Sequence, residues 1–247
     1  MDSTRPVALI TGSARRIGAA IARRLHAEGY DLALHYRDSA DAMQALAKSL
    51  QATRPDSVLT LQADLSEFDR LPEMVARTVG RFGRLDALVN NASTFHATPM
   101  GTSTAQDWDT LFASNARAPF FLAQAAAPHL KASRGAIVNL VDIYAERPLA
   151  NHPLYCMAKA ALLMATKSLA LELAPEVRVN AVAPGAILWP EHDEANGEAQ
   201  AALLARTPLS RTGTPEEIAE AVRWLLRDAT YVTGQVMRVD GGRMLAG

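Results

Sequence analysis

Seven short apolar runs, each divided from the next by a segment of helical period, extend almost from end to end of this chain. They are Val7–Thr11, Leu32–Tyr36, Val58–Gln62, Ala87–Asn90, Ala136–Val141, Arg178–Ala183 and Gln235–Val239. Several are apolar on successive positions, as strands buried on both faces are. Strands that alternate with helices pair in parallel through right-handed crossovers. The pattern therefore predicts an α/β fold: a doubly wound parallel sheet with helices on both faces.

The intervening segments carry their own signals. Ile17, Ala20, Ile21 and Leu25 form one apolar stripe, with Gly29 where a helix C-terminus favours glycine. Met43, Leu46, Ala47 and Leu50 form a second. Thr214-Pro215-Glu216-Glu217 reads as an N-cap, a first-turn proline and a capping-box acid ahead of Ile218, Val222 and Leu225. No linker or repeat interrupts the alternation, so residues 1–247 are expected to form one domain. Pro184–Gly197 is the longest candidate loop, which puts a substrate loop or lid at about 186–206.

Composition removes several functions. Lys and Arg number 25 against 26 Asp and Glu, so there is no broad basic face for a nucleic-acid backbone. Cys156 is the single cysteine and cannot form an internal disulfide, which suits a reducing compartment. The apolar run after the N-terminus spans four residues, too short for a signal peptide or membrane span. A cytoplasmic protein without membrane contact is expected. The six histidines have no metal-ligand spacing, and no metal is expected.

In a doubly wound sheet, ligands sit beyond the carboxyl ends of the strands, where strand order reverses. The first such end is Thr11-Gly12-Ser13-Ala14-Arg15-Arg16-Ile17-Gly18. Glycines there let a diphosphate approach the backbone, and the helix start offers free N–H groups. Arg15 and Arg16 add cations that a mere packing turn does not need. At the end of the second strand, an acid would accept from the 2′-hydroxyl of NAD, whereas cations accommodate the 2′-phosphate of NADP. The residues are His35, Tyr36, Arg37, Asp38 and Ser39. The spacing of Asp38 permits NAD, or a helix cap; Arg37, Ser39 and Arg16 favour NADPH, which is the cofactor expected. Ala63-Asp64-Leu65 and Asn91-Ala92-Ser93 close two further strands and line the same groove, with Asp64 near adenine.

Tyr155 and Lys159 lie at i and i+4 in a helical stretch running to about Ala174 and so share one face. A phenol of pKa about 10 needs help to exchange protons at neutral pH, and a nearby ammonium supplies it. Asp142, at the end of a strand, precedes Tyr155 with twelve residues between them. Asn115 is a polar residue in an otherwise apolar helical run, Leu111–Leu122.

Together, the first turn, Asn90-Asn91-Ala92, Asn115, Tyr155-x3-Lys159, Pro184-Gly185 and Val239-Asp240-Gly241-Gly242 resemble the short-chain dehydrogenase/reductases over essentially the whole chain. The resemblance implies a single Rossmann-type domain with a seven-stranded sheet, assembled as a homotetramer. It makes Tyr155 the proton donor. Lys159 would bind the nicotinamide ribose and lower the tyrosine pKa, and Asn115 would hold a water in a proton relay. Tyr155, Lys159, Pro184, Gly185 and Ile187 would border the cofactor.

Three positions depart from the common pattern. Arg16 replaces the usual glycine of the turn, Asp142 replaces the usual serine, and Ile187, Leu188 and Trp189 stand where a threonine usually follows Pro184-Gly185. The first two are similar to the pteridine reductase branch, as are His35-Tyr36 with Ser39, Gln62-Ala63-Asp64-Leu65-Ser66 and Asn91-Ala92-Ser93-Thr94-Phe95. That likeness implies a pterin stacked on Phe95, with Ser93 touching both ligands and Arg16, Asp142, Tyr155, Pro184 and Trp189 around the substrate. An acid beside the tyrosine also suits reduction of C=N better than of C=O, where neutral donors on a developing alkoxide are wanted. The expected activity is NADPH-dependent reduction of a pterin, with dihydrofolate as a further substrate. A ketone or 3-oxoacyl thioester reductase is the alternative. A non-catalytic NADPH sensor is the reading from another class, and it has no need of Tyr155 and Lys159.

Overall fold

Strand β1 (Val7–Ile10) has all four residues buried, two sent to each side of the sheet by the strand's twofold period. Its neighbours follow the same logic in the computed structural model, which describes residues 5–187 and 197–246. With β2 (Asp31–Tyr36), β3 (Val58–Gln62), β4 (Ala87–Asn90), β5 (Ala136–Leu140), β6 (Arg178–Pro184) and β7 (Val236–Val239), it forms one sheet of order β3-β2-β1-β4-β5-β6-β7. Every pairing is parallel. Each strand lies within a residue or so of the run that predicts it.

Helices α1 (Arg16–Ala27), α2 (Ala40–Thr53) and α8 (Pro215–Arg227) cover one face. There Ile21, Leu25, Met43 and Val222 meet Ala8, Ile10, Leu32 and Leu34. Helices α3 (Leu71–Phe82), α5 (Ala118–Ser133) and α6 (Pro153–Glu172) cover the other, where Val75, Leu122 and Ala170 meet Val7, Leu9 and Leu88. Gly29 follows α1 at φ 91°, and Thr214 and Glu217 form the expected reciprocal capping box at α8. Helix α6 is long and apolar enough to cross a membrane by length and composition. Its inner face explains much of that: Ala158, Leu162, Leu163 and Ala170 are buried.

Two expectations need correction. Leu111–Leu122 is not one continuous helix. Helix α4 (Ala105–Phe112) passes into a π-helical turn, Ala113–Arg117, before α5 begins. Pro119 has no N–H for the carbonyl of Asn115, and its ring crowds that carbonyl, so the ladder widens there. The proposed lid is not simply a loop either: its second half contains helix α7 (Gly197–Ala205). Leu188 and Trp189 lie outside the described residues.

Strand order reverses between β1 and β4. The site is therefore expected where these two strands end.

Candidate active site

The turn after β1 and the end of β4 touch. Gly12 has φ 62°, and a Cβ there would lie 2.8 Å from Ala92 Cα. A Cβ on Gly18 would lie 2.3 Å from Gly12 O, so turn and helix are packed as closely as backbone permits. Asn91 Nδ2 donates to the carbonyls of Thr11 and Gly12, each at 2.9 Å. His35 accepts from Gly12 N at Nδ1 (3.1 Å) and donates from Nε2 to Ala63 O (3.0 Å). That pattern requires a neutral ring, and burial pushes the His35 pKa down accordingly. His35 thus ties the ends of β1, β2 and β3 together.

These ends border a groove of about 710 Å³. Its walls include Gly12, Arg15, Arg16, Ile17, Gly18, His35, Tyr36, Arg37, Ser39, Asp64, Leu65, Asn91, Ala92 and Ser93. Ala63 is buried with its carbonyl taken by His35. Pro184 and Ile187 are buried, and Gly185 packs so closely on Asp240 that a Cβ would lie 2.7 Å from its Cα. Asp64 accepts from Ser66 N at 2.8 Å, a bond that lowers its pKa.

The groove has the donors an anionic dinucleotide requires. Arg15, at the N-cap of α1, makes no side-chain cap, and the first turn carries no acid. The start of α1 therefore presents no carboxylate of its own to repel an anion. Asp38 does not cap α2; its carboxylate pairs with Arg37 at 2.5 Å, both side chains being exposed. Arg16 has φ 52°, which explains why a glycine is usual at this position. Arg16→Gly is expected to relieve about 1 kcal/mol of backbone strain while raising the KM for a dinucleotide cofactor about tenfold through the lost guanidinium. A melting curve with steady-state kinetics checks both, and an unchanged KM contradicts the ligand role.

The second cluster stands at the ends of β5 and the start of α6. Asp142 caps the short turn Ile143–Ala145, accepting from Tyr144 N at 2.9 Å on Oδ1. On Oδ2 it accepts from Tyr155 Oη at 2.7 Å. Lys159, 2% exposed, donates to Leu140 O at 2.9 Å, with Nζ 5.8 Å from the Tyr155 ring centre. Ser93 donates to Asn115 Oδ1 at 2.8 Å. Asn115 Nδ2 in turn donates to Thr94 O and Leu111 O. The π-helical turn places Asn115 in this chain of bonds, a common use of such turns. Phe95 is 52% exposed, stacks on His152 (4.6 Å, 10°) and meets Tyr155 edge-on (4.8 Å, 86°).

Burial raises the Asp142 pKa. Burial first, and the Asp142 charge second, raise Tyr155 well above 10. Both hold the phenol protonated, the state a proton donor needs. Burial also lowers Lys159, to about 8. Its charge is present below that pH and lost above it. Any kcat/KM that depends on this ammonium is expected to fall above about pH 8, approaching tenfold per unit. The same limb persisting in Lys159→Met would assign it to another group.

The cluster combines a protonated phenol, an enclosed carboxylate and a buried ammonium, beside a groove for a phosphate-bearing ligand. Comparison with known proteins shows the family. A protein-family model described as enoyl-(acyl carrier protein) reductase matches residues 12–243. The chain belongs to the short-chain dehydrogenase/reductase family. Pteridine reductase 1 of Leishmania tarentolae is 39% identical over 98% of this chain and 97% of its own. A granaticin polyketide synthase ketoacyl reductase of Streptomyces violaceoruber is 40% identical over 97% and 96%. The 3-oxoacyl-[acyl-carrier-protein] reductase of Staphylococcus aureus is 36% identical over 95% and 96%.

Sequence reasoning missed two members of the cluster. His152 sits one helical turn before Tyr155, and that i, i+3 spacing is the signal that marks it. Tyr144 contributes its main-chain N–H, which no side-chain pattern reveals.

Proposed function

We propose that this member of the family is an NADPH-dependent pteridine reductase that reduces dihydrobiopterin-like pterins, with dihydrofolate as a second substrate. The 2.7 Å bond from Tyr155 to the Asp142 carboxylate carries this reading. A developing alkoxide favours neutral donors around it, whereas a ring nitrogen gaining a proton favours an acid with a second acid behind it. NADPH supplies the hydride when bound. Tyr155 donates its hydroxyl proton to the ring nitrogen next to the reduced carbon. Asp142 accepts the phenol's hydrogen bond at rest and would pass on a proton taken up from solvent to replace the one Tyr155 gives up. Lys159, as an ammonium, stabilises negative charge on the phenol oxygen during that exchange. Ser93, held by Asn115, would border the reacting ring, and Phe95 offers the face turned from His152 to a planar ring.

In the groove, Arg15, Arg16, Ile17 and Gly18 would hold the diphosphate, and Tyr36, Arg37 and Ser39 the adenosine phosphate. Asp64 and Leu65 would border adenine; Asn91, Ala92, Ser93, Tyr155 and Lys159 would border the nicotinamide half. Arg37→Ala is expected to raise the KM for NADPH about tenfold more than that for NADH. Equal effects would contradict a phosphate role, because Arg37 would then serve only Asp38.

The second reading is reduction of a 3-oxoacyl thioester, favoured by the names of the two bacterial relatives. Following NADPH oxidation with dihydrobiopterin and with an acetoacetyl thioester separates the two. Preference for the pterin is expected, and turnover of the thioester alone would end the pterin reading.

The single continuous sheet supports one catalytic domain spanning the chain. A homotetramer is supported by Phe120 on α5 and Met157, Met164 and Leu171 on α6, all exposed; light scattering at four times the 26.5 kDa chain mass tests it. A cytoplasmic site of action is supported by the free thiol of Cys156.

A further inference from the structure

A guanidinium stands beside Asp142 that the chemistry above does not use. Arg243 follows the turn Asp240-Gly241-Gly242, in which Asp240 accepts from Gly242 N (2.9 Å) and Met244 N (2.8 Å). Both glycines have positive φ, 63° and 84°, and Gly185 backs the turn at van der Waals limit. The main chain at Arg243 is thereby fixed. Arg243 Nη2 donates to Tyr144 Oη at 3.0 Å, and the guanidinium lies 5.9 Å from that ring's centre. Arg147 Nη1 donates to Arg243 O at 3.2 Å, a further hold on that main chain. Tyr144 is the residue whose main chain holds Asp142, and the Arg243 charge reaches that carboxylate.

The surrounding acids are otherwise engaged. Asp240 serves its own turn, Glu146 pairs with Arg238 at 2.6 Å, and Asp142 binds Tyr155 and Tyr144. Among the described residues, no carboxylate pairs with half-buried Arg243. A guanidinium has five donors in a planar fork shaped for a carboxylate. One is placed on Tyr144, which orients the rest.

We propose that Arg243, oriented by Tyr144, binds a carboxylate on the substrate's tail. This rests on the pterin reading and deepens it: Arg243 gives dihydrofolate, whose tail carries a carboxylate, a contact that the uncharged side chain of dihydrobiopterin cannot make.

Steady-state kinetics of the wild type, Arg243→Gln and Arg243→Lys with both substrates test this. Arg243→Gln is expected to raise the KM for dihydrofolate at least about tenfold more than that for dihydrobiopterin. Arg243→Lys, which keeps the charge, should recover part of that difference. In the wild type, added salt should raise the dihydrofolate KM more steeply than the dihydrobiopterin KM. Equal changes for the two substrates would overturn the proposal, since Arg243 would then act only through Tyr144 and Asp142. No change for either would overturn it too. A wild type that reduces pterins yet shows no such selectivity defeats this inference alone; one that reduces neither defeats the pterin reading with it.

Discussion

Tyr155→Phe is expected to lower kcat by about 10²–10⁴-fold, the usual contribution of a positioned general acid, while NADPH affinity measured by fluorescence changes little. The ring stays: it is 5% exposed and meets Phe95 edge-on at 4.8 Å, contacts that phenylalanine reproduces. Only the hydroxyl goes, and with it the 2.7 Å bond to Asp142. The groove for the dinucleotide is built from the ends of β1, β2 and β4 and does not depend on that oxygen. An unchanged kcat would contradict the assignment of the proton donor. Loss of NADPH affinity in step with kcat would point to a structural role instead.

Asp142→Ser should divide the two kinds of substrate. Serine is the residue the wider family usually carries here, so the variant retains a neutral donor near Tyr155. It loses the carboxylic acid that resupplies the phenol. Pterin turnover is expected to fall about 10²-fold or more, while turnover of an acetoacetyl thioester holds or rises. The alkaline limb set by the tyrosine should also move down, because the Asp142 charge is the second cause, after burial, of its raised pKa. Pterin reduction that survives Asp142→Ser intact would remove the carboxylate from the chemistry.

The strands were legible because burial on both faces leaves runs such as Ala8-Leu9-Ile10 with no polar position, a pattern few other elements share. The pairing of Asp142 with Tyr155 was legible too. A strand end and the start of the next helix are held to one edge of the sheet by short connections, so spacing of this kind converts to proximity. The break at Asn115 was hidden by the apolar composition of Leu111–Leu122, which satisfies helical period; Pro119 was the local sign of it. The engagement of Asp38 by Arg37 in place of the α2 cap was a choice between two partners, each within reach in sequence. The balance at Tyr155 was not readable from Tyr-x3-Lys, because desolvation and the Asp142 charge exist only once the ring is packed. Arg243 was beyond reach for a related reason. It meets Tyr144 across 99 positions, through a turn that Gly241 and Gly242 direct back toward the site.

The most direct measurement is a crystal structure of the enzyme with NADPH and a pterin-like antifolate. A flat ring parallel to Phe95, with a ring nitrogen within hydrogen-bond distance of Tyr155 Oη and Asp142 still bound to that phenol, is the predicted result. An empty space beside Phe95, or an Asp142 carboxylate rotated away from Tyr155 in the ternary complex, would contradict it.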